Sequence, residues 1–177
     1  MIILSDTREQ AELDFSGIDG VEKVEKFGLA YGDYTALVHD KPVPIVFERK
    51  GFSDLWGTMT SGYDRFKREM ERAKKDNIKM ILVIEGSYSD VFNGFERSQY
   101  TGASMLKKLA TLYVKYDLEY HFCESRRVMA RRICDTFSAI DRNYSIETDF
   151  DFGQNKGAVK IRSNKLMLDE GDNKDAT

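Results

Sequence analysis

Apolar positions along the chain follow two rhythms: short runs that fit strands, and a three-to-four-residue spacing that fits helices. Ile2 to Leu4 is an apolar run that leaves through Ser5-Asp6-Thr7-Arg8-Glu9, the pattern of a buried strand with a polar exit. Val21 to Phe27 predicts a second strand. Tyr34 to Val38 and Val43 to Phe47 flank the turn-forming cluster His39-Asp40-Lys41-Pro42 and predict a hairpin, with Glu48-Arg49-Lys50 directly behind it. From Gly62 to Asn77 the period turns helical, with Phe66, Met70 and Ala73 on one face and Arg65, Arg68, Arg72 and Lys75 on another. Met80 to Ile84 predicts a strand buried on both faces. Leu106, Leu109, Tyr113 and Tyr116 mark a further helix, and Glu119 to Cys123 another strand. Met129, Ile133, Phe137 and Ile140 mark a last helix, whose first turns carry Arg126, Arg127, Arg131 and Arg132. Strands interleaved with helices predict an α/β fold with a central mixed β-sheet flanked by helices, the hairpin supplying the antiparallel part. Phe150 to Leu168 reads as a loose hairpin, and the acidic end beyond it as disordered.

At 177 residues the chain suits one compact domain with an appendage, and 41% apolar residues supply its core. No run approaches the roughly 18 to 20 apolar residues of a membrane span. The N-terminus turns acidic after a short apolar run and lacks the features of a signal peptide, so the expected setting is intracellular: cytoplasm, nucleoid or nucleus. Cys123 and Cys134 have neither metal-binding nor disulfide spacing and read as core residues in a reducing compartment. His39 and His121 lack companions at zinc-ligand spacing. The net charge of −3 is accounted for by Asp169, Glu170, Asp172 and Asp175 against Lys174. The rest is near neutral, so the mild acidity does not exclude a nucleic-acid partner, and what matters is whether the cations gather on one face.

Candidate chemistry lies between Tyr31 and Met70. Gly32-Asp33-Tyr34 puts a carboxylate at the mouth of the hairpin, and Glu48-Arg49-Lys50 puts a carboxylate and two cations where its second strand ends. Pairing of the two strands brings Asp33 and Glu48 to the same sheet edge. Two carboxylates there form a hard oxygen site suited to Mg²⁺ or Mn²⁺, with water and substrate phosphate completing the octahedron. Period-two geometry sets Lys50 on the same face as Glu48, where it can orient or deprotonate an attacking water or neutralise developing charge. The plain alternative is a solvated strand exit, with Ser53-Asp54 capping the next helix. For Arg65, Arg68 and Arg72 the plain alternative is a solvated helix face with Glu69 as local ion-pair partner. Trp56, Tyr63 and Phe66 fit a core better than a base-stacking platform.

Gly32-Asp33-Tyr34, Glu48-Arg49-Lys50 and Asp54 after three intervening residues reproduce a Gly-Asp-x(n)-Glu-Arg-Lys-x3-Asp signature. In this the chain resembles the nuclease domain of the XPF family of structure-specific endonucleases, within the restriction-endonuclease-like PD-(D/E)-x-K superfamily. Asp6-Thr7-Arg8-Glu9, Phe52-Ser53-Asp54-Leu55-Trp56-Gly57 and Ser61-Gly62 before Arg65 agree with it, over roughly residues 1 to 145. The resemblance implies a restriction-endonuclease-like core and a divalent-metal-dependent DNA endonuclease, selective for flap, fork or junction DNA. It makes Asp33 and Glu48 the metal ligands and Lys50 the catalytic cation. Arg49 and Asp54 become supporting or phosphate-contacting residues, Asp6 and Arg8 flank the site, and Arg65, with Arg68, Arg72 and Lys75 behind it, meets DNA. A homodimer through the helix from about Arg126 to Asp141 is also implied, the plain alternative being a helix packed on its own sheet; without an appended module, specificity is expected from a protein partner or from the second subunit.

Two departures stand out. The gap from Asp33 to Glu48 is long for the family and predicts an extended turn around Lys41-Pro42-Val43-Pro44. Residues 145 to 177 offer no tandem helix-hairpin-helix module, so the expected division is a nuclease domain at 1–147 and an appendage at 148–177. The competing functional readings are a catalytically silent DNA-binding or scaffolding subunit, and a nuclease of different specificity, acting on RNA or at sequence-defined duplex sites.

Overall fold

The computed structural model describes residues 1–96 and 98–144. The expected hairpin at 150–168 and the appendage at 148–177 lie outside the described residues. In chain order the elements are β1 (Ile2–Asp6), β2 (Lys23–Phe27), β3 (Tyr34–Val38), β4 (Lys41–Pro42), β5 (Ile45–Lys50), α1 (Phe52–Met59) and α2 (Tyr63–Lys75). There follow β6 (Lys79–Glu85), α3 (Tyr88–Asn93), α4 (Gly102–Tyr116), β7 (Glu119–Cys123) and α5 (Arg126–Tyr144).

The strands form one sheet in the order β2-β1-β3-β5-β6-β7, with β4 paired to β3 off that path. The β1–β2, β5–β6 and β6–β7 pairs are parallel, while β1–β3 and β3–β5 are antiparallel, giving the mixed α/β sheet expected. Period-two alternation splits the strands between two cores. Leu4, Val46, Leu82 and Ile84 meet Leu55, Phe66, Met70 and Leu109 from α1, α2 and α4 on one face. Ile3, Phe47, Ile81 and Val83 meet Met129, Ile133 and Phe137 from α5 on the other. Trp56 and Phe66 are core residues, as are the free thiols Cys123 and Cys134. The apolar side of α5 is therefore spent on its own sheet.

The hairpin differs from expectation. The chain reverses at His39-Asp40, both left-handed (φ 49° and 60°), the backbone that a two-residue hairpin turn requires. Lys41 and Pro42 then pair back with Val38 and Leu37 instead of forming an extended turn. Pro42 sits opposite Leu37, where no N–H is needed for the ladder, and the Val43 N–H carries the pairing on by donating to the Ala36 carbonyl (3.1 Å). The helix α3 was not anticipated; a capping box of Ser87 and Asp90 starts it.

At the start of α5 a cationic first turn opposes the helix dipole, and backbone acceptors offset this. Arg126 donates to the carbonyls of Ala11 and Glu12, and Arg127 to those of Asp14 and Ser16, which staples the β1–β2 connection. Lys108 on α4 ties the other layer: its ammonium lies 4.2 Å from the Tyr63 ring centroid and 4.9 Å from that of Tyr100, and donates to the Met59 carbonyl at the end of α1. Lys108→Met is expected to cost about 1 to 2 kcal/mol, a fall of roughly 2–8 °C in a thermal melt. An unchanged melt would show that the cage contributes nothing.

Among the described residues no helix is long and apolar enough to cross a membrane.

Candidate active site

Two hydrogen bonds tie the mouth of β3 to the end of β5, and a third ties it to β1. The Asp33 N–H donates to the Phe47 carbonyl (2.7 Å), the Asp6 N–H donates to the Asp33 carbonyl (2.8 Å), and the Arg49 N–H donates to Asp33 Oδ2 (2.7 Å). Gly32 makes this approach possible. Its φ is +63°, and a β-carbon there would lie 2.9 Å from the Phe47 carbonyl oxygen. Asp33 and Glu48 thus meet at the ends of central strands, inside the sheet order and not at its lateral edge.

Along β5, Val46 faces the α1/α2 core and Phe47 the α5 core. Alternation therefore turns Glu48 and Lys50 toward α1 and α2 and Arg49 the other way. The Lys50 ammonium donates to Glu48 Oε1, and both side chains are largely buried. Burial and the neighbouring Glu48 charge push Asp33 up from 3.8 to about 8. Burial works against the Lys50 cation, but the charge and hydrogen bond of Glu48 outweigh it and raise Lys50. Without a bound cation, Lys50 is a firmly charged ammonium.

A linkage follows for the cation-free chain. Folded Asp33 keeps a proton that the unfolded chain releases near 3.8, so its contribution to stability is full below that value and lost as pH rises through about 8.

Glu69, on α2, joins this group. It occupies an apolar-face position, three residues after Phe66 and four before Ala73. Its carboxylate accepts the Gly32 N–H; burial first and Glu48 second raise it. The sequence reading paired Glu69 with the arginine stripe, and the structure turns it toward the site instead. Tyr31 adds a second tie between α2 and this loop, donating to Asp76 Oδ2 at 2.7 Å. Burial lifts the Tyr31 phenol to about 12.

On the far face Arg49 is buried against Glu9, with Nε to Oε2 at 3.2 Å. Of its two expected roles, this placement fits support of Asp33, not contact with phosphate. Asp6 is fully engaged by Arg8 N–H, Nε and Nη2 and by the Leu29 N–H. Burial would raise Asp6, but the Arg8 hydrogen bonds outweigh it and leave the carboxyl lowered. Asp6 and Arg8 therefore brace the loop that leads to Asp33.

Asp54 Oδ2 and Arg49 Nη1 both lie within 4 Å of where a Gly51 β-carbon would be, at 3.0 and 3.8 Å. From there an open groove of ≈ 670 Å³ runs between α1 and α2, lined by Lys50, Ser53, Gly57, Ser61 and Arg65 among others. Arg65, Arg68, Arg72 and Lys75 are all exposed on one side of α2, a row about 15 Å long. Only Arg65 reaches the groove lining. Gly57 sits inside α1, where glycine costs about 1 kcal/mol relative to alanine.

The donor chemistry suits a divalent cation. Glu9, Asp33, Glu48 and Glu69 against Arg49 and Lys50 leave two negative charges when all are ionised. Among the described residues no group of three or more His, Cys, Asp or Glu side chains is gathered for metal binding. Mg²⁺ habitually takes only one or two carboxylates, the remainder being water and substrate oxygens, so Asp33 and Glu48 fit that demand.

The ERCC4 domain model matches residues 5–136. The chain belongs to the ERCC4 domain family. Among solved structures, XPF from Aeropyrum pernix superposes with a TM-score of 0.61 at 19% identity, covering 83% of this chain and 66% of that one. XPF from Aeropyrum pernix in complex with DNA gives 0.57 at 20% identity, covering 86% and 68%. This ERCC4 chain thus spans about two thirds of those chains and shares their α/β fold. No curated protein matches it.

Proposed function

We propose that this ERCC4 domain is a divalent-cation-dependent DNA endonuclease, selective for branched or duplex structures. The observation that carries the reading is the convergence of Asp33 and Glu48 with the Lys50 ammonium bonded to the same carboxylate. The DNA found with XPF from Aeropyrum pernix supports nucleic acid as the ligand. Asp33 and Glu48 would hold Mg²⁺ or Mn²⁺; such a cation polarises a phosphoryl oxygen and lowers the pKa of its water. Lys50 neutralises charge that develops on the phosphate and orients the incoming water. Arg49 and Glu9 lock the strand end that positions Asp33, and Asp54 closes the corner beside Gly51. The row from Arg65 to Lys75 holds the DNA backbone. A homodimer would have to use surfaces other than the apolar side of α5, which the sheet covers; a protein partner that supplies specificity is a further part of the proposal.

Labelled duplex, flap, fork and single-stranded DNA, with RNA in parallel, incubated with Mg²⁺, Mn²⁺ or EDTA, tests the reading. Cation-dependent cutting of DNA supports it, binding without cutting points to a silent subunit, and preferential cutting of RNA reassigns the substrate. If the α2 row contacts phosphates, log affinity falls linearly with log salt, and removing Arg68 or Arg72 lowers that slope by about 0.9 each. An affinity indifferent to salt would exclude the row from binding.

A further inference from the structure

Gly57 is an exposed residue in the middle of α1, and a β-carbon built there meets no atom within 4 Å. Nothing in the fold requires the missing side chain. Gly62, across the groove, differs: its β-carbon would lie 3.1 Å from Thr58 Cα and 3.2 Å from the Gly57 carbonyl, so internal packing explains it. What Gly57 provides is bare helix backbone facing open space in the groove. The groove has Lys50 at one end and Arg65 on its rim, with the hydroxyls of Ser53 and Ser61 between them. Lys50 is bonded to Glu48, so the groove is continuous with the proposed reaction centre. No aromatic ring and no large apolar side chain lines it.

We infer that this groove is the seat for the sugar–phosphate backbone of the nucleotide next to the cut bond, and that Gly57 sets how closely that backbone approaches. The inference rests on the endonuclease reading. The lining selects the ligand class: cations and hydroxyls recognise a phosphate, whereas a base would call for a stacking surface. A chain held this way is fixed by its backbone, so the seat does not read sequence. Asp54, also in the lining, lies toward Gly51 and Arg49, at the edge of the cationic path.

The test exploits the open space around a β-carbon at this position, which lies in the groove lining. Gly57→Ala is expected to melt about 2–4 °C above wild type, and Gly57→Leu no lower than wild type. Gly57→Leu should bind a fluorescein-labelled DNA duplex or fork in Ca²⁺ about tenfold more weakly, and cut it in Mg²⁺ on the order of a hundredfold more slowly. A substrate with an abasic residue beside the cut bond should be processed by wild type within about twofold of the intact one. A folded Gly57→Leu protein that binds and cuts like wild type overturns the seat, and a steep loss on the abasic substrate overturns the choice of backbone over base. If Gly57→Leu does not fold, Ser53→Leu fills the same groove from a second exposed position, and wild-type binding by that variant also overturns it. Failure of the endonuclease reading is distinct, because it shows as a wild-type protein that cuts no DNA.

Discussion

Glu48→Gln is expected to cut DNA on the order of 10³-fold more slowly than wild type while still binding it. The side chain keeps its shape but loses the charge that pairs with Lys50 and faces Asp33. Asp33 is then relieved of the Glu48 charge, while burial, the larger cause, still holds it raised, and a cation finds one carboxylate where it had two. Removing a buried charge next to Asp33 and Glu69 offsets the loss of the Lys50 pair, and the melting temperature of the variant is the control for folding. Asp33→Asn is expected to fail equally, since each carboxylate supplies half of the same site. Undiminished cleavage in the folded Glu48→Gln protein would remove Glu48 from the reaction.

A second large effect is expected at a residue with no functional group. Gly32→Ala puts a β-carbon 2.9 Å from the Phe47 carbonyl and 3.1 Å from Val46 Cβ, on a backbone at φ +63°. Left-handed strain of about 1–2 kcal/mol adds to that collision, for a total of roughly 2–4 kcal/mol. A melt lowered by on the order of 10 °C follows, together with weaker cation binding, because Gly32 leads directly into Asp33 and its N–H is held by Glu69. Gly28→Ala is the matched control: its β-carbon meets nothing within 4 Å, and the melt should barely move. If both variants melt alike, the close approach at Gly32 is not what holds Asp33 in place.

The parts of the fold that were legible in the sequence are those whose periodicity is set by burial. The strand β6 is apolar on both faces because two cores claim it, and α5 shows its sheet-facing side in Met129, Ile133 and Phe137. Asp33, Glu48 and Lys50 were legible because strand pairing and period-two geometry suffice to bring them together. Glu69 was hidden by its neighbours: between Arg68 and Arg72 an acid reads as a local ion-pair partner, and only the packing of α2 beside β5 reveals its other surroundings. The clue present in the sequence was its position among Phe66, Met70 and Ala73. Glu9 and Arg49 are forty residues apart, and no local pattern links them. The six-residue α3 is too short to display a helical period, although its Ser87-x-x-Asp90 cap was visible. At the hairpin, Pro42 and Pro44 suggested a wide turn, whereas His39 and Asp40 accept the left-handed backbone of a tight one.

The most direct test of a shared cation between Asp33 and Glu48 is Mn²⁺ binding, followed by electron paramagnetic resonance between about pH 6 and pH 9. A cation that must displace the proton from Asp33 gains affinity about tenfold per pH unit until about 8, then levels off, and Asp33→Asn and Glu48→Gln both lose the site. An affinity that stays flat over this range and survives both substitutions would contradict the account.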